Sequence, residues 1–153
     1  MRIEYADSPQ FLGTIRALFC EYESSINVDL CFQGFEKELA TVPGEYARPR
    51  GRLLLAFDGD EVAGCGALRR FDEGISEMKR LYVRPAYRGK SIGAELARVL
   101  IENAREASYA KMRLDTMPSM ARAIVLYRSL GFREIPCYRF NPVPGALFFE
   151  LDL

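Results

Sequence analysis

Apolar positions along the chain follow two periods, and the changes between them predict the order of its elements. Near the N-terminus the period is helical behind a Ser8–Pro9 start, which predicts a helix to about Tyr22. The apolar positions of this helix are Phe11, Leu12, Ile15, Leu18, Phe19 and Tyr22. A short second helix is predicted over residues 35–40, and a short strand over residues 2–5.

After a Pro- and Gly-containing loop the pattern becomes strand-like. Strands are predicted over residues 53–57, 62–68 and 76–83. Tight turns at residues 58–60 and 72–74 separate them, each with a glycine. Connections this short favour three consecutive strands that pair antiparallel.

The second half of the chain alternates helices with strands. The predicted helices span residues 91–107 and 120–130, and the predicted strands span residues 111–116, 132–135 and 146–151. Gly131 stands where a left-handed helix cap is expected. The whole order predicts an α/β (α+β layered) fold in which helices cover a central sheet. The length of 153 residues fits a single domain over residues 1–153.

The amino-acid composition excludes several kinds of catalytic site. Histidine is absent, which excludes a Ser-His-Asp triad, a Cys-His pair and an imidazole zinc site. No metal is therefore expected, and a base working near neutral pH must be a carboxylate, a tyrosine, a lysine or a relayed water. The four cysteines form no CxxC pair and have apolar or aromatic neighbours, which predicts buried free thiols. They are Cys20, Cys31, Cys65 and Cys137.

Charge is distributed unevenly although the formal net charge is zero. Residues 1–47 carry three basic and eight acidic side chains, whereas residues 48–153 carry eighteen basic and thirteen acidic ones. The basic second part suits an anionic ligand. No basic-aromatic surface motif indicates nucleic-acid binding. The chain shows neither a membrane-length apolar stretch nor a signal peptide, so a cytoplasmic location and no membrane partner are expected.

One segment is suited to binding an anion. Residues 84–94 leave a predicted strand, pass through a loop with two glycines and two basic side chains, and open a helix. The unpaired N–H groups and positive dipole at a helix start suit a phosphate, although a plain strand-to-helix turn would have the same pattern. Neither a Walker loop nor a GxGxxG fingerprint occurs.

This segment resembles the acyl-CoA-binding motif [QR]xxGx[GA] of the GNAT superfamily, with Arg88 at its first position and Gly93 at its last. Ser91 departs from the pattern, because the family usually has glycine there. Residues 77–83 resemble the family's fourth strand, and residues 123–132 resemble its A…LY..LGF signature. The resemblance implies a central mixed, mostly antiparallel sheet of six to seven strands flanked by about four helices.

The activity implied by the resemblance is that of an N-acetyltransferase. Such an enzyme moves an acetyl group from acetyl-CoA to a primary amine of a small molecule or protein by direct attack in a ternary complex. The backbone amides that would hold the CoA pyrophosphate belong to Arg88, Gly89, Lys90, Ser91, Ile92, Gly93 and Ala94. The main chain of Leu81, Tyr82 and Val83 would pair with the pantetheine, and the Leu81 N–H would polarise the thioester carbonyl.

The resemblance also implies two catalytic residues. Glu77, eleven residues before Arg88, would act as general base, with a pKa raised by partial burial. Tyr127 would be the general acid that protonates or hydrogen-bonds the leaving thiolate. Strand alternation places Glu77 on one face with Lys79, Leu81 and Val83, beside the groove for CoA. Alternatively, Glu77 is a solvent-facing residue paired with Lys79 or Arg69, and Tyr127 is a core aromatic.

Other functions stay open at this point. Met120 stands where the family often has a cofactor-contacting asparagine, seven residues before Tyr127. This departure and Ser91 leave room for a non-catalytic CoA-binding or sensing module; a nucleotide-phosphate domain is a third alternative.

The resemblance also implies where the amine acceptor would lie, against residues 21–38 and 138–145. The acidic part of these segments favours a cationic or polar small amine. A homodimer is common in the family.

Overall fold

The computed structural model describes residues 1–30 and 34–153. Its helices are α1 (Pro9–Ile26), α2 (Phe35–Thr41), α3 (Ile92–Glu106) and α4 (Ala121–Ser129). Its strands are β1 (Arg2–Tyr5), β2 (Arg52–Asp58), β3 (Glu61–Asp72), β4 (Ile75–Val83), β5 (Lys111–Thr116), β6 (Arg133–Ile135) and β7 (Leu147–Asp152). Each predicted element is present, and the ends differ from the prediction by a few residues, as expected of boundaries read from a sequence.

The strands form one sheet in the order β1-β2-β3-β4-β5-β7-β6, seven strands within the described residues. The pairing of β4 with β5 is parallel, and every other neighbouring pair is antiparallel. The prediction of a mixed, mostly antiparallel sheet with about four helices is therefore confirmed.

Helices cover both faces of this sheet, which explains why β2 is apolar throughout. Along β2 the side chains alternate, since Leu53 and Leu55 pack with α1 and α2 while Leu54 and Ala56 pack with α3. Every residue of β2 from Arg52 to Phe57 is consequently buried. Burying both faces requires this continuous apolar run in place of strict alternation.

Two irregularities of β4 shape the site. Its pairing with β5 ends at Glu77 opposite Arg113, although β4 itself continues to Val83. Its register with β3 also shifts, because Ala67 lies opposite Lys79 whereas Cys65 lies opposite Tyr82. The two strands β4 and β5 thus diverge and open a cleft in the middle of the sheet.

The register shift centres on Arg80, whose φ of 58° is left-handed. An extra residue in one strand reverses the alternation of the side chains beyond it. Lys79 therefore lies opposite Ala67, which packs towards α1 and α2, whereas Leu81 and Val83 pack on the α3 and α4 side. The prediction that all four alternate residues from Glu77 to Val83 share a face is wrong because it assumed an unbroken strand.

Other features also differ from the sequence prediction. Cys65 is buried as predicted, but Cys20 and Cys137 are exposed, and Cys31 lies outside the described residues. Gly131 has the expected positive φ of 97° after α4. None of the described helices combines the length and the apolar character needed to cross a membrane.

Candidate active site

A groove of about 950 Å³ runs along the opened edge of β4, between the start of α3 and the start of α4. Ligand sites of this size are common in enzymes. The residues that line it are Tyr22, Ser25, Ile26, Leu81, Tyr82, Val83, Tyr87, Arg88, Gly89, Ser91, Ile92, Gly93, Ser119, Met120, Ala121, Arg122, Ala123 and Leu126. The groove therefore brings together β4, the loop and helix start of residues 84–94 (the anion loop) and α4. In the sequence only the family resemblance linked these three segments.

The anion loop is built on left-handed backbone. Gly89 has φ +82° and Ser91 has φ +61° just before α3 begins at Ile92. The first intrahelical bond runs from the Glu95 N–H to the Ser91 carbonyl, so the N–H groups of Ile92, Gly93 and Ala94 are the orphan donors of the first turn. These amides, with the positive end of the helix dipole, suit an anion placed in the groove.

Ser91 carries a conformational cost that explains why glycine fits this motif. Non-glycine residues are disfavoured in the left-handed region, and the Ser91 side chain makes no capping hydrogen bond in return. We expect Ser91→Gly to raise the free energy of unfolding by about 0.5–1 kcal/mol, measured by urea titration. Ser91→Ala, which removes the hydroxyl and keeps the Cβ, is the control and should give no gain. Equal stabilisation by both variants would contradict this explanation.

The basic side chains of the loop have different settings. The Arg88 guanidinium lies beside the groove and its Nε donates to the Val83 carbonyl at 3.0 Å. Lys90 instead pairs with Asp58 at 2.8 Å on the exposed side of the loop. Of the described residues proposed to hold CoA, Lys90 and Ala94 are outside the groove lining. Their contribution would therefore come from backbone groups or long-range charge.

A small pocket of roughly 30 Å³ lies at the inner end of the groove, in the cleft between β4 and β5. Tyr22, Leu81 and Met120 line both spaces, so the pocket and the groove adjoin each other. The other residues around the pocket are Leu30, Met78, Lys79, Arg80, Leu114, Asp115, Thr116, Met117, Tyr127 and Asn141. A space of this size accommodates only the reacting end of a ligand.

Tyr127 reaches this pocket from α4. Its ring is buried and packs edge-on against Phe132 at a centroid distance of 5.8 Å. Burial raises the pKa of the Tyr127 phenol, so the hydroxyl stays protonated at neutral pH. Tyr127 is one of the residues that line the inner pocket. A protonated phenol in this position can donate to a bound ligand.

Glu77 is fully buried and surrounded by donors. One oxygen accepts from Arg69 at 2.9 Å, both accept from Arg139 within 2.9 Å, and the second also accepts from the Tyr138 hydroxyl at 2.7 Å. Burial alone would raise the pKa of Glu77. The charges of Lys79, Arg139 and Arg69 outweigh burial and lower this pKa from 4.5 to about 2. Both arginines stay charged at neutral pH.

Two expectations about Glu77 are therefore corrected. Its pKa is lowered, and not raised as the family resemblance implied, because Arg139 from a distant part of the chain binds the carboxylate. Its carboxylate also lies among ion pairs of the sheet instead of lining the described groove. The alternative pairing with Arg69 is present, although in a buried setting and not a solvent-facing one.

Lys79 and Asp115 are site residues that sequence reasoning missed. Lys79 is buried in the pocket wall, and burial is the main cause that lowers its pKa from 10.5 to about 7. Asp115 enters the same pocket from the end of β5. A lysine within a strand ordinarily faces solvent, so only the fold shows that this one is enclosed.

Two acidic side chains near the N-terminus are paired with arginines. Glu21 binds Arg84 at 2.8 Å, and Glu38 binds Arg80 at 2.8 Å. Glu23 accepts the backbone N–H of Leu30. The charges of Glu21 and Glu38 are therefore compensated by arginines, which leaves these two less suited to attract a cationic acceptor.

Comparison with known proteins adds an independent finding. The profile of the acetyltransferase (GNAT) family matches residues 14–132. An uncharacterised N-acetyltransferase of Schizosaccharomyces pombe is 37% identical over 147 residues, which cover 95% of this chain and 90% of the relative.

Solved structures agree with the architecture. A GNAT-family acetyltransferase from Staphylococcus aureus matches with a TM-score of 0.81 at 21% identity, covering 99% of this chain and 98% of that one. A Bacillus subtilis acetyltransferase in complex with CoA matches with a TM-score of 0.61 at 24% identity, covering 73% and 82%. At these identities the likeness shows a shared fold.

Proposed function

Because the chain belongs to the GNAT family of acetyltransferases and is an acetyltransferase itself, we propose that it binds acetyl-CoA in the groove along β4 and acetylates a primary amine. The acceptor is a small molecule or a protein amino group that reaches the inner pocket. The observation that carries the proposal is that the groove at the α3 start adjoins the small pocket lined by Tyr127.

The position of the cofactor follows from the charges and amides of the groove. The pyrophosphate binds at the N–H groups of Ile92, Gly93 and Ala94, with Arg88 beside it. The pantetheine extends along residues 81–83, where β4 has separated from β5. The Bacillus subtilis acetyltransferase of the same fold was solved in complex with CoA, which supports CoA as the ligand.

Main-chain groups in the cleft then serve the thioester. In the described register Leu81 lies opposite no residue of β3 or β5. The Leu81 N–H is therefore suited to receive the carbonyl oxygen as it becomes anionic. Holding amine and thioester in line supplies much of the rate, on the order of 7–11 kcal/mol in well-oriented systems.

Two side chains complete the proposed mechanism. Tyr127 donates a hydrogen bond to the departing thiolate, a role for which a phenol that stays protonated is suited. Glu77 acts as a positioning residue, because it fixes Tyr138 and Arg139 of the segment that follows β6. Asn141 of the same segment donates to Asp115 in the pocket at 3.1 Å.

The groove assignment is tested by substitution at Gly93. A Cβ there would lie 3.6 Å from the Val83 Cγ2, an ordinary contact, so Gly93→Ala should bind CoA like the wild type. The longer side chain of Gly93→Leu extends into the groove, and we expect it to raise the CoA Kd about tenfold or more, measured by calorimetry. The same Kd for both variants, with folding intact, would show that CoA binds elsewhere.

Release of free thiol from acetyl-CoA in the presence of an amine panel measures the reaction itself. The wild-type protein should release thiol with at least one primary amine and none with matched tertiary amines. Binding of acetyl-CoA without thiol release from any amine would favour the non-catalytic sensing module over the proposed reaction.

A further inference from the structure

A further pocket of about 510 Å³ opens between α2, the segment of residues 43–46 and β3. None of the described residues that line this α2 pocket lines the groove or the inner pocket. Four of its lining side chains are charged, two of each sign, and they are Lys37, Glu38, Glu45 and Arg69. The volume and the polar lining are those of a site for a small polar molecule.

The Tyr46 hydroxyl is a buried polar group in the wall of this pocket. Tyr46 is 3% exposed, its ring packs edge-on against Phe19, and its oxygen makes no hydrogen bond with the described residues. The Glu38 carboxylate is nearby, but Arg80 already binds both of its oxygens at 2.8 and 2.9 Å. A hydroxyl left unpaired in the interior costs free energy, which a ligand that accepts its hydrogen bond would recover.

The other group without a partner in the α2 pocket is a cation. Lys37 makes no side-chain hydrogen bond or ion pair within the part of the chain that the structure describes. The two carboxylates of the lining are both engaged, Glu38 as described and Glu45 by Arg69 at 2.9 Å. The unpaired groups, the Lys37 ammonium and the Tyr46 hydroxyl, are therefore both hydrogen-bond donors.

Arg69 supplies a third donor, whose present partner is held weakly. Its Nε and Nη2 donate to the buried Glu77 at 3.1 and 2.9 Å, which fixes the guanidinium in place. Its Nη1 donates to Glu45, whose side chain is 71% exposed. Exposed ion pairs contribute little to stability, so the carboxylate of a ligand can take the place of Glu45 on Nη1.

We propose that the α2 pocket binds the carboxylate group of a small molecule through Lys37, the Tyr46 hydroxyl and Nη1 of Arg69. A cationic ligand would find both lining carboxylates already engaged. The Glu38–Arg80 ion pair separates this site from the inner pocket, because Glu38 lines the one and Arg80 the other. The carboxylate therefore belongs either to the acceptor amine or to a separate small acid, and in both cases binding requires no acetyl transfer.

Binding is measured on the wild-type protein without acetyl-CoA. Succinate, glutarate and benzoate, each compared with its neutral amide, are titrated while the ¹H–¹⁵N correlation spectrum is recorded. At least one acid should shift the backbone signals of residues 37–46 with a Kd on the order of 1 mM or below, and its amide should not. No shift with any of the acids, or shifts only at residues 88–94 of the anion loop, would overturn the proposal.

Two substitutions with opposite effects show which charge the pocket binds. Lys37→Gln should raise the Kd of the acid about tenfold, and Glu45→Gln should lower it about threefold because Nη1 of Arg69 is released. Arg70→Gln removes an exposed cation that follows Arg69 in β3 and lies outside the pocket lining, so this control should bind like the wild type. Tighter binding by Lys37→Gln together with weaker binding by Glu45→Gln would indicate a cation site and refute the proposal.

Tyr46→Phe separates a role of the hydroxyl in binding from a role in folding. The variant keeps the ring on Phe19 and removes only the unpaired hydroxyl, so without ligand its urea midpoint should equal or exceed that of the wild type. The Kd of the acid should nevertheless rise about tenfold. A lowered midpoint with an unchanged Kd would show that the hydroxyl serves the fold alone, which contradicts the proposed site.

Thiol release from acetyl-CoA identifies the source of the carboxylate. If the acceptor carries it, glutarate should compete with carboxylate-bearing amines, and Lys37→Gln should raise their KM about tenfold. If a separate acid carries it, glutarate and acceptor should bind together, and Lys37→Gln should leave the acceptor KM unchanged; both results support a carboxylate site. A wild-type protein that releases no thiol with any amine would refute the proposed function and leave the carboxylate titration unaffected.

Discussion

Tyr127→Phe is expected to lower kcat about 10²–10³-fold, because the variant loses the one hydrogen bond that the phenol makes to developing charge in the transition state. The acetyl-CoA Kd should stay near the wild-type value, since the hydroxyl contributes little in the ground state. Steady-state thiol release and calorimetry measure the two quantities on the same samples.

The free energy of unfolding of Tyr127→Phe is the control for this prediction. The Tyr127 ring packs on Phe132 and Phe149. Phenylalanine keeps that packing, so the free energy of unfolding should be unchanged. Tyr127→Leu would instead lose ring contacts and stability. A Phe variant with the wild-type kcat would show that Tyr127 is only a core aromatic.

Glu77→Gln is expected to lower the free energy of unfolding by about 3–5 kcal/mol, because it removes the anion that compensates two enclosed arginines. Arg69 and Arg139 both bind Glu77, and the two side chains are 18% and 20% exposed. Urea unfolding at pH 7 measures the loss. Glu45→Gln breaks the exposed pair on the same Arg69 and should cost less than about 1 kcal/mol.

The pH dependence of this loss has a definite direction. The Glu77 pKa is about 2 in the folded protein, below its ordinary 4.5. Its ion pairs therefore stabilise the folded protein above about pH 5, and the contribution, about 3 kcal/mol, disappears as the pH falls towards 2. The difference in unfolding free energy between wild type and Glu77→Gln should shrink over this range. A constant difference would mean that Glu77 is not ionised in the folded state.

The Glu77→Gln variant also tests whether Glu77 positions the acceptor site. Because Glu77 holds Tyr138 and Arg139, its loss should disturb the segment that carries Asn141. We expect Glu77→Gln to raise the acceptor KM while the acetyl-CoA Kd stays near the wild-type value.

Periodicity and turn chemistry determined the fold from sequence. The helical period near the N-terminus and the period-two runs after residue 52 are local properties, so each element was predicted within a few residues of its place. The strand, loop and helix start around Arg88 likewise lie together in the chain, which made the anion loop visible. Ser91 is an example of such a local property. Its backbone is left-handed, which explains why the family motif usually has glycine at this position.

Tertiary structure alone decided which groups meet in the pocket. The bulge at Arg80 reversed the faces of β4, and a strand pattern carries no mark of an inserted residue. Arg139 lies 62 residues from Glu77 in the chain, yet their contact helps to lower a pKa that the family resemblance implied would be raised. Lys79 and Asp115 converge only because β4 and β5 pair in parallel and then diverge. Electrostatic environment depends on distances in space, so a chain read one residue at a time leaves it undetermined.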